Sequence, residues 1–232
     1  MVFIEKVYWF CYYLYRDFRW PKPKRPYGIT CYIGLPGCGK TLSMVQELDR
    51  LREEFPYALI GTNFGYKFQD FALKDWEQLI SVNNGADGVI FGFDEVQYTF
   101  DRKEWDGIPA GILEIFGQNR KHAKQFLCTS QAYGDVSIDL RRRCKFIIEC
   151  QNLWDRNRWF FLKYFRPEDY ALRDTTRTIR IRAKRLSFIA TDDLYARYNT
   201  FDLIPDIKIG SALQPVRAAK QNRSTGAAKV SE

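Results

Sequence analysis

The stretch YIGLPGCGKTLSMV, residues 32–45, decides the fold of this chain. It contains the pattern G-x-x-x-x-G-K-T, whose glycines let the backbone curl so that consecutive N–H groups point at phosphate oxygens. An apolar strand-like run precedes the pattern and an amphipathic helical run follows it, which is the context that a phosphate-binding loop requires. The stretch therefore predicts a nucleotide site rather than an ordinary glycine-rich turn.

Two side chains at the end of this loop carry chemistry as well as shape. The Lys40 ammonium is expected to contact the β- and γ-phosphates, and the Thr41 hydroxyl has the length to ligate Mg²⁺. The helix that begins there adds the positive end of its dipole. These groups predict ATP and Mg²⁺ as ligands. The predicted nucleotide-binding residues are Gly34, Leu35, Pro36, Gly37, Cys38, Gly39, Lys40, Thr41 and Leu42.

An acid pair follows a buried strand pattern further along the chain. The run VIFGFDE, residues 89–95, is apolar up to Asp94 and Glu95. Asp94 is predicted to hold Mg²⁺ together with Thr41, and Glu95 to orient or activate the attacking water. Such a pair can also mark the simple end of a strand, but the loop upstream favours catalysis.

Further polar groups are expected near the γ-phosphate. The strand pattern FLCTSQ ends in Gln131, which is predicted to report the state of the nucleotide, with Ser130 as the weaker candidate. An arginine given to a neighbour's γ-phosphate stabilises transition-state charge. Arg142, in the cluster 141–143, is the candidate for this catalytic role, and Arg120 is an alternative. A solvated or DNA-facing role fits the cluster equally well.

Short apolar runs alternate with helical patterns from residue 29 to residue 151. This alternation predicts an α/β core with a mostly parallel sheet covered by helices on both faces. The predicted strands are 29–33, 57–63, 88–95, 125–131 and 145–151. The predicted helices of the core are 40–54, 73–84, 110–120 and 138–143.

An N-terminal addition, residues 1–27, is predicted before this core. It consists of an aromatic helix over residues 1–20 and a stiff basic linker, PKPKRP. Both sides of the helix carry apolar or aromatic residues. We therefore expect it to pack on its own domain, on a neighbouring subunit or in a membrane interface.

The core is expected to cover residues 28–152, and a C-terminal β-rich addition residues 153–210. The addition is predicted to begin as a hairpin with its tip at residues 155–157. Residues 177–185 alternate strictly, which predicts a strand with one basic face formed by Arg180, Arg182 and Lys184. Residues 211–232 lack periodicity and predict a flexible tail.

The composition is that of a folded protein with a basic surface. Of 232 residues, 46% are hydrophobic and 28% are charged, and the net charge of +8 favours polyanionic partners. Six cysteines without a C-x-x-C pair and a single histidine disfavour a zinc site and fit a reducing cytosol. No secretory signal is recognisable, and no apolar run reaches the roughly 20 residues that cross a bilayer.

The motifs and their order resemble the zonula occludens toxin (Zot) family, which comprises filamentous-phage assembly ATPases and relatives on mobile elements. The likeness lies in YIGLPGCGKTLSMV, IGTNF, IFGFDEVQ and GQNRKHAKQFLCTSQ, and it covers residues 28–152. Thr62 and Asn63, the acid pair with Gln97, and the Arg-x-His before a strand ending in Gln resemble this family more than general nucleotide kinases.

The resemblance implies a RecA-like P-loop core, similar to the FtsK and HerA motors, that hydrolyses ATP and assembles into a ring. It also implies extrusion of single-stranded phage DNA through an inner-membrane complex. Many relatives carry a transmembrane segment after the ATPase domain, and no such run is recognisable in this sequence. Membrane attachment would then depend on the aromatic helix or on a partner.

We therefore expect a P-loop ATPase that acts in DNA export or virion assembly of a phage or mobile element. Its expected place is the cytoplasm of a bacterial host, at the inner face of the membrane. Two alternatives stay open. One is a structural, membrane-peripheral assembly factor that binds nucleotide with little turnover, and the other is a different DNA-translocating P-loop ATPase.

Overall fold

The computed structural model describes residues 3–20, 24–75, 77–96, 110–154, 156–175 and 183–199. Among them, helices α1 to α7 span Phe3–Arg19, Lys40–Glu54, Glu77–Ser81, Ala110–Gly117, Ile138–Arg143, Pro167–Thr175 and Asp192–Tyr195. Strands β1 to β10 span Gly28–Ile33, Leu59–Thr62, Gly65–Tyr66, Phe71–Ala72, Val89–Phe93, Lys124–Ser130, Phe146–Leu153, Arg156–Phe165, Lys184–Ile189 and Tyr198–Asn199.

Eight of these strands form one sheet in the order β4-β2-β5-β6-β1-β7-β8-β9. The first six strands in this order, β4-β2-β5-β6-β1-β7, pair in parallel. Strands β8 and β9 extend the sheet in antiparallel pairing. Strand β1 lies between β6 and β7, well inside the sheet. Because parallel strands share one carboxyl edge, the segments that follow β1, β5 and β6 meet there.

Successive residues of each central strand face two different layers of helices. In β1, Ile29, Cys31 and Ile33 pack in a cluster with residues of α3, α4 and α5. Tyr32 packs on the opposite face with residues of α2, such as Leu48. Both faces of the sheet are therefore covered. The mostly parallel α/β sandwich predicted from the sequence is confirmed.

The helix predicted over residues 73–84 is much shorter than its pattern, and only α3 forms. The Gln78 side chain accepts hydrogen bonds from the backbone N–H groups of Lys74 and Asp75, two donors that precede the helix. The Lys124 ammonium donates to the carbonyls of Leu79 and Ile80, which satisfies backbone groups at the other end. A local side-chain contact therefore precedes α3, and a tertiary contact from β6 marks its C-terminal end.

The predicted hairpin is present as β7 and β8, but its turn lies earlier than predicted. Trp154 is in the turn, and residues 156 and 157 already belong to β8, where Arg156 pairs with Leu153. Helix α6, which was not predicted, follows the hairpin. Lys184 opens β9. Other predicted features lie outside the described residues: Gln97, Arg180, Arg182 and the tail over residues 211–232.

Helix α1 confirms the predicted N-terminal helix, and it leaves its apolar side exposed. All of its residues except Arg16 are exposed, and Phe18 reaches 86%. At helical spacing, one side collects Phe3, Ile4, Val7, Phe10, Cys11, Leu14 and Phe18, and the opposite side collects Glu5, Trp9, Tyr12, Tyr13, Arg16 and Arg19. Within the described residues, no helix has the length and apolar character needed to cross a membrane.

Candidate nucleotide site

The glycine-rich loop lies at the carboxyl edge of the sheet, between β1 and α2. Its last glycine, Gly39, adopts a φ of 84°, in the left-handed region that favours glycine. A Cβ atom on Gly39 would also stand 2.3 Å from the ring of Phe160. Backbone conformation and packing therefore both require glycine here, immediately before the helix begins.

Lys40, the first residue of α2, is buried with its ammonium inside the loop. Its side chain is only 5% exposed, and Nζ donates to the carbonyl oxygen of Leu35 at 3.4 Å. The same Nζ lies 3.6 Å from Oε1 of Glu95. The two predicted catalytic groups, one from each motif, are thus brought together.

Asp94 connects the loop to the strand on its other side. Its Oδ1 accepts hydrogen bonds from the hydroxyl of Thr41 at 2.8 Å and from the hydroxyl of Thr129 at 2.6 Å. Thr41 belongs to α2 and Thr129 to β6, and Asp94 directly follows β5. One carboxylate oxygen therefore joins three elements at a single point of the sheet edge.

Two further side chains fix the backbone of the acid pair. Asn63 accepts from the N–H of Asp94 at 2.7 Å and donates to the carbonyl of Asp94 at 3.1 Å. The Thr129 hydroxyl, which donates to Asp94, also accepts from the N–H of Glu95 at 2.8 Å. Glu95 adopts a φ of 51°, a left-handed conformation that is uncommon for a non-glycine residue and often found at functional sites.

Burial dominates the acidity of the Asp94 carboxyl group. Desolvation raises its pKa above the ordinary range, although hydrogen bonds from Thr129 and Thr41 favour the charged form. The adjacent Glu95 raises this pKa further and Lys40 lowers it. A cation placed beside Asp94 would therefore relieve an unfavourable burial of charge.

The donor set beside Asp94 fits a magnesium ion. Mg²⁺ prefers oxygen ligands and usually retains several water molecules. The Thr41 hydroxyl and the Asp94 carboxylate supply two such oxygens in contact with each other. The residues present are therefore those that a phosphate-bound Mg²⁺ requires.

The other candidate residues lie further from this centre. Gln131 is exposed directly after β6, and the buried Ser130 donates to the carbonyl of Ala132 at 3.1 Å. Arg142 is exposed near the end of α5, close to the start of β7 and so toward the amino edge of the sheet. Arg120 lies over the ring of Tyr27, just before β1, at that same amino edge.

Asn63 and Thr129, which hold the acid pair by hydrogen bonds, are functional residues that the sequence patterns did not predict. Both are polar residues at the carboxyl ends of the strands that flank β5, and that position is the signal in the sequence. The parallel register decides which residue contacts Asp94. Phe93 pairs with Cys128, so Thr129 is level with Asp94 and Gln131 lies beyond it.

Solved structures give the comparison for this fold, since no family model and no curated protein matches the chain. The chain is similar to the N-terminal domain of zonular occludens toxin from Neisseria meningitidis, with 14% identity and a TM-score of 0.56. That match covers 76% of this chain and 100% of the toxin domain. At this identity it shows the fold, so the P-loop NTPase fold implied by the family resemblance is confirmed.

Two structures of another protein are similar at lower scores. The genome-packaging NTPase B204 from Sulfolobus turreted icosahedral virus 2, in complex with AMPPCP, gives 12% identity and a TM-score of 0.43. That match covers 60% of this chain and 93% of B204. The complex of B204 with ATPγS gives 12% identity and a TM-score of 0.44, covering 60% of this chain and 92% of B204.

Proposed function

We propose that this protein is an ATP-hydrolysing P-loop motor of the Zot type. It would act in DNA export or virion assembly of a phage or mobile element, at the inner face of a bacterial membrane. One observation carries the proposal: the Asp94 carboxylate contacts the loop residue Thr41 while Glu95 lies 3.6 Å from Lys40. Phosphate-binding and hydrolytic groups thus form one site.

Each residue of this site has a role in hydrolysis that follows from its position. The loop amides and Lys40 bind the β- and γ-phosphates, and Thr41 with Asp94 holds Mg²⁺, which neutralises charge on the phosphates when bound. Glu95, with its backbone fixed by Thr129, orients the attacking water and accepts its proton. Gln131 senses the γ-phosphate as the nucleotide changes.

A ring-like oligomer is the proposed working form. Arg142 is exposed and lies toward the sheet edge opposite the loop of its own chain. It therefore suits a role in a neighbouring protomer, where its guanidinium would stabilise charge on the γ-phosphate during transfer. Such an arrangement couples hydrolysis to contacts between subunits.

DNA, including single-stranded DNA, is the proposed polymer. The net charge of +8 and the exposed Lys184 of β9 favour a polyanion. Contacts of this kind would be independent of base sequence and sensitive to salt. In fluorescence anisotropy, Lys184→Ala should weaken binding of a single-stranded oligonucleotide and flatten its salt dependence, whereas an unchanged salt dependence would exclude Lys184 from the DNA surface.

Helix α1 supports a position at the membrane surface. Its exposed apolar side has the composition of a helix that lies in the plane of a lipid interface. The opposite side carries Trp9, Tyr12 and Tyr13, which contact one another beside the charged residues. Residues 1–27 carry six basic and two acidic side chains, a net charge of +4 that complements anionic lipid.

ATPase measurements test the catalytic part of the proposal. Wild-type protein should hydrolyse ATP in the presence of Mg²⁺, and Glu95→Gln should lower kcat about 10² to 10⁴-fold, the usual contribution of a general base, while ATP binding persists. Lys40→Ala should lose binding itself. Equal turnover by wild-type protein and Glu95→Gln would contradict the motor.

Liposome flotation tests the membrane part. Wild-type protein should float with vesicles that contain anionic lipid and less with neutral vesicles. The variant Phe10→Ser/Leu14→Ser/Phe18→Ser should stay at the bottom of the gradient. Ile189→Ser, which changes a residue that is 67% exposed on β9, is the matched control and should float. Unchanged flotation of the α1 variant would remove the helix from this role.

The second candidate function is a structural assembly factor at the membrane that binds nucleotide with little turnover. The exposed α1 favours it, because an attachment helix serves a scaffold as well as a motor. A wild-type kcat that matches Glu95→Gln, together with magnesium-dependent ATP binding, would support this candidate over the motor.

A further inference from the structure

The β7–β8 hairpin lines one side of the glycine-rich loop, and each loop glycine contacts it. A Cβ atom on Gly34 would stand 2.8 Å from the carbonyl oxygen of Cys150. The Asn152 side chain donates to the carbonyl of Gly37 at 3.4 Å. Gly39 packs against the ring of Phe160 in β8. The hairpin is therefore a wall of the proposed nucleotide site.

Trp154 stands at the tip of this wall. Ile148 and Cys150 pack on the face of the sheet that carries α2, and Asn152, the next residue of the same parity, reaches the loop. Trp154 follows two residues later, in the turn, with 81% of its surface exposed. Its φ of 51° is unusual for a bulky residue, and a β-bulge at Asn152/Leu153 precedes it.

The position of the acid pair defines the direction of the nucleotide. Asp94 and Glu95 follow β5 and Thr129 lies next to the last residue of β6, so the hydrolytic groups lie on one side of β1. A triphosphate whose γ end points to that side extends its α-phosphate, ribose and base the opposite way. The opposite neighbour of β1 is β7, which leads to the hairpin tip.

We propose that the indole ring of Trp154 stacks on the base of the bound nucleoside triphosphate. The inference rests on the proposed nucleotide site and adds its base subsite. A flat aromatic ring gives every base a stacking surface, so it contributes affinity with modest selectivity among bases. The exposed ring at the end of the loop-lining hairpin meets this requirement.

Isothermal titration calorimetry with two ligands, Mg-ATP and magnesium with inorganic tripolyphosphate, tests the base subsite. Tripolyphosphate carries the phosphates without ribose or base. Trp154→Ala should bind ATP about tenfold more weakly, within the range measured for loss of base stacking, and should bind tripolyphosphate as wild type does. Trp154→Phe should retain most of the ATP affinity because it keeps an aromatic ring.

Trp159→Ala is the matched control, since Trp159 lies on β8 of the same hairpin, is 44% exposed and stacks on Phe161 instead. It should bind both ligands as wild type does. Intrinsic fluorescence provides a second measurement: ATP, but not tripolyphosphate, should change the emission of wild-type protein, and the change should be much smaller in Trp154→Phe.

Three results with the variants would overturn the base subsite: unchanged ATP affinity in Trp154→Ala, an equal loss for both ligands, or the same ATP-induced fluorescence change in Trp154→Phe as in wild type. If wild-type protein binds tripolyphosphate and ATP equally, the base has no subsite although the phosphate site stands. If wild-type protein binds neither, the proposed nucleotide site itself is wrong.

Discussion

The acid pair, Asp94 and Glu95, and helix α1 differ in burial: Asp94 is an ionisable group that is buried, whereas the apolar side chains of α1 are exposed. Asp94 is held by side chains from α2, from β6 and from Asn63, which follows β2. Phe18 is apolar and 86% exposed on a helix outside the sheet. Burial of an ionisable group and exposure of an aromatic surface each oppose the stability of an isolated domain, so each indicates a ligand or partner.

The two regions differ in what supports them. The site is supported by the core beneath it, where Phe126 of β6 stacks on Phe91 of β5 with ring centroids 5.2 Å apart. Helix α1 has an exposed surface instead of such a core. The free energy of unfolding should therefore respond strongly to changes below and within the site, and weakly to changes in α1.

The largest effect is expected from Phe126→Ala. Phe126 is 1% exposed and contacts both Phe91 and Phe116, so truncation should lower the free energy of unfolding by about 3–5 kcal/mol. Chemical denaturation followed by circular dichroism measures this. A loss as small as that of a surface substitution would show that the site does not depend on this core.

A smaller effect is expected from Thr129→Val, which keeps the shape of the side chain and removes its hydroxyl. The N–H of Glu95 and Oδ1 of Asp94 each lose a partner, at a cost of about 1–3 kcal/mol in the free energy of unfolding. ATP turnover should also fall, because the backbone of Glu95 loses its support. Thr129→Ser retains the hydroxyl and should restore most of both properties; an equal loss in Ser and Val variants would contradict the hydrogen-bonding role.

The smallest effect is expected from Leu14→Ser/Phe18→Ser in α1. Both side chains are exposed, so the free energy of unfolding should stay within about 0.5 kcal/mol of wild type, the usual range for surface substitutions. The same denaturation experiment measures it. A loss above roughly 1–2 kcal/mol, the scale of a partly buried contact, would mean that α1 packs on the domain in solution.

The loop and the acid pair could be predicted from sequence because their chemistry is local and the topology is regular. Strands β1 and β5 are clear apolar runs, and parallel pairing brings the residues after each strand to one edge of the sheet. The contact residue of β6 could not be predicted in this way. Thr129, Ser130 and Gln131 are all polar, and only the register, with Phe93 opposite Cys128, brings Thr129 level with Asp94.

Other features depend on contacts that a one-dimensional pattern does not contain. The carbonyls of Leu79 and Ile80, at the C-terminal end of helix α3, are bound by Lys124, which is distant in sequence. The spacing in residues 1–20 predicts a helix correctly, but periodicity does not say what its apolar side touches. The position of the turn at Trp154 likewise depends on strand pairing. Because Leu153 pairs with Arg156, the turn lies before residues 156 and 157, which were predicted to form the tip.

The backbone amides of the acid pair are hydrogen-bonded to side chains, which makes them suitable for hydrogen–deuterium exchange measurements. The amide hydrogen of Asp94 is bonded to Asn63 Oδ1, and that of Glu95 to Thr129 Oγ1. Amide hydrogens held in this way exchange with heavy water only when the local structure opens. Mass spectrometry of the peptide that spans these two amides can therefore follow ligand binding at the edge of the sheet without an attached probe.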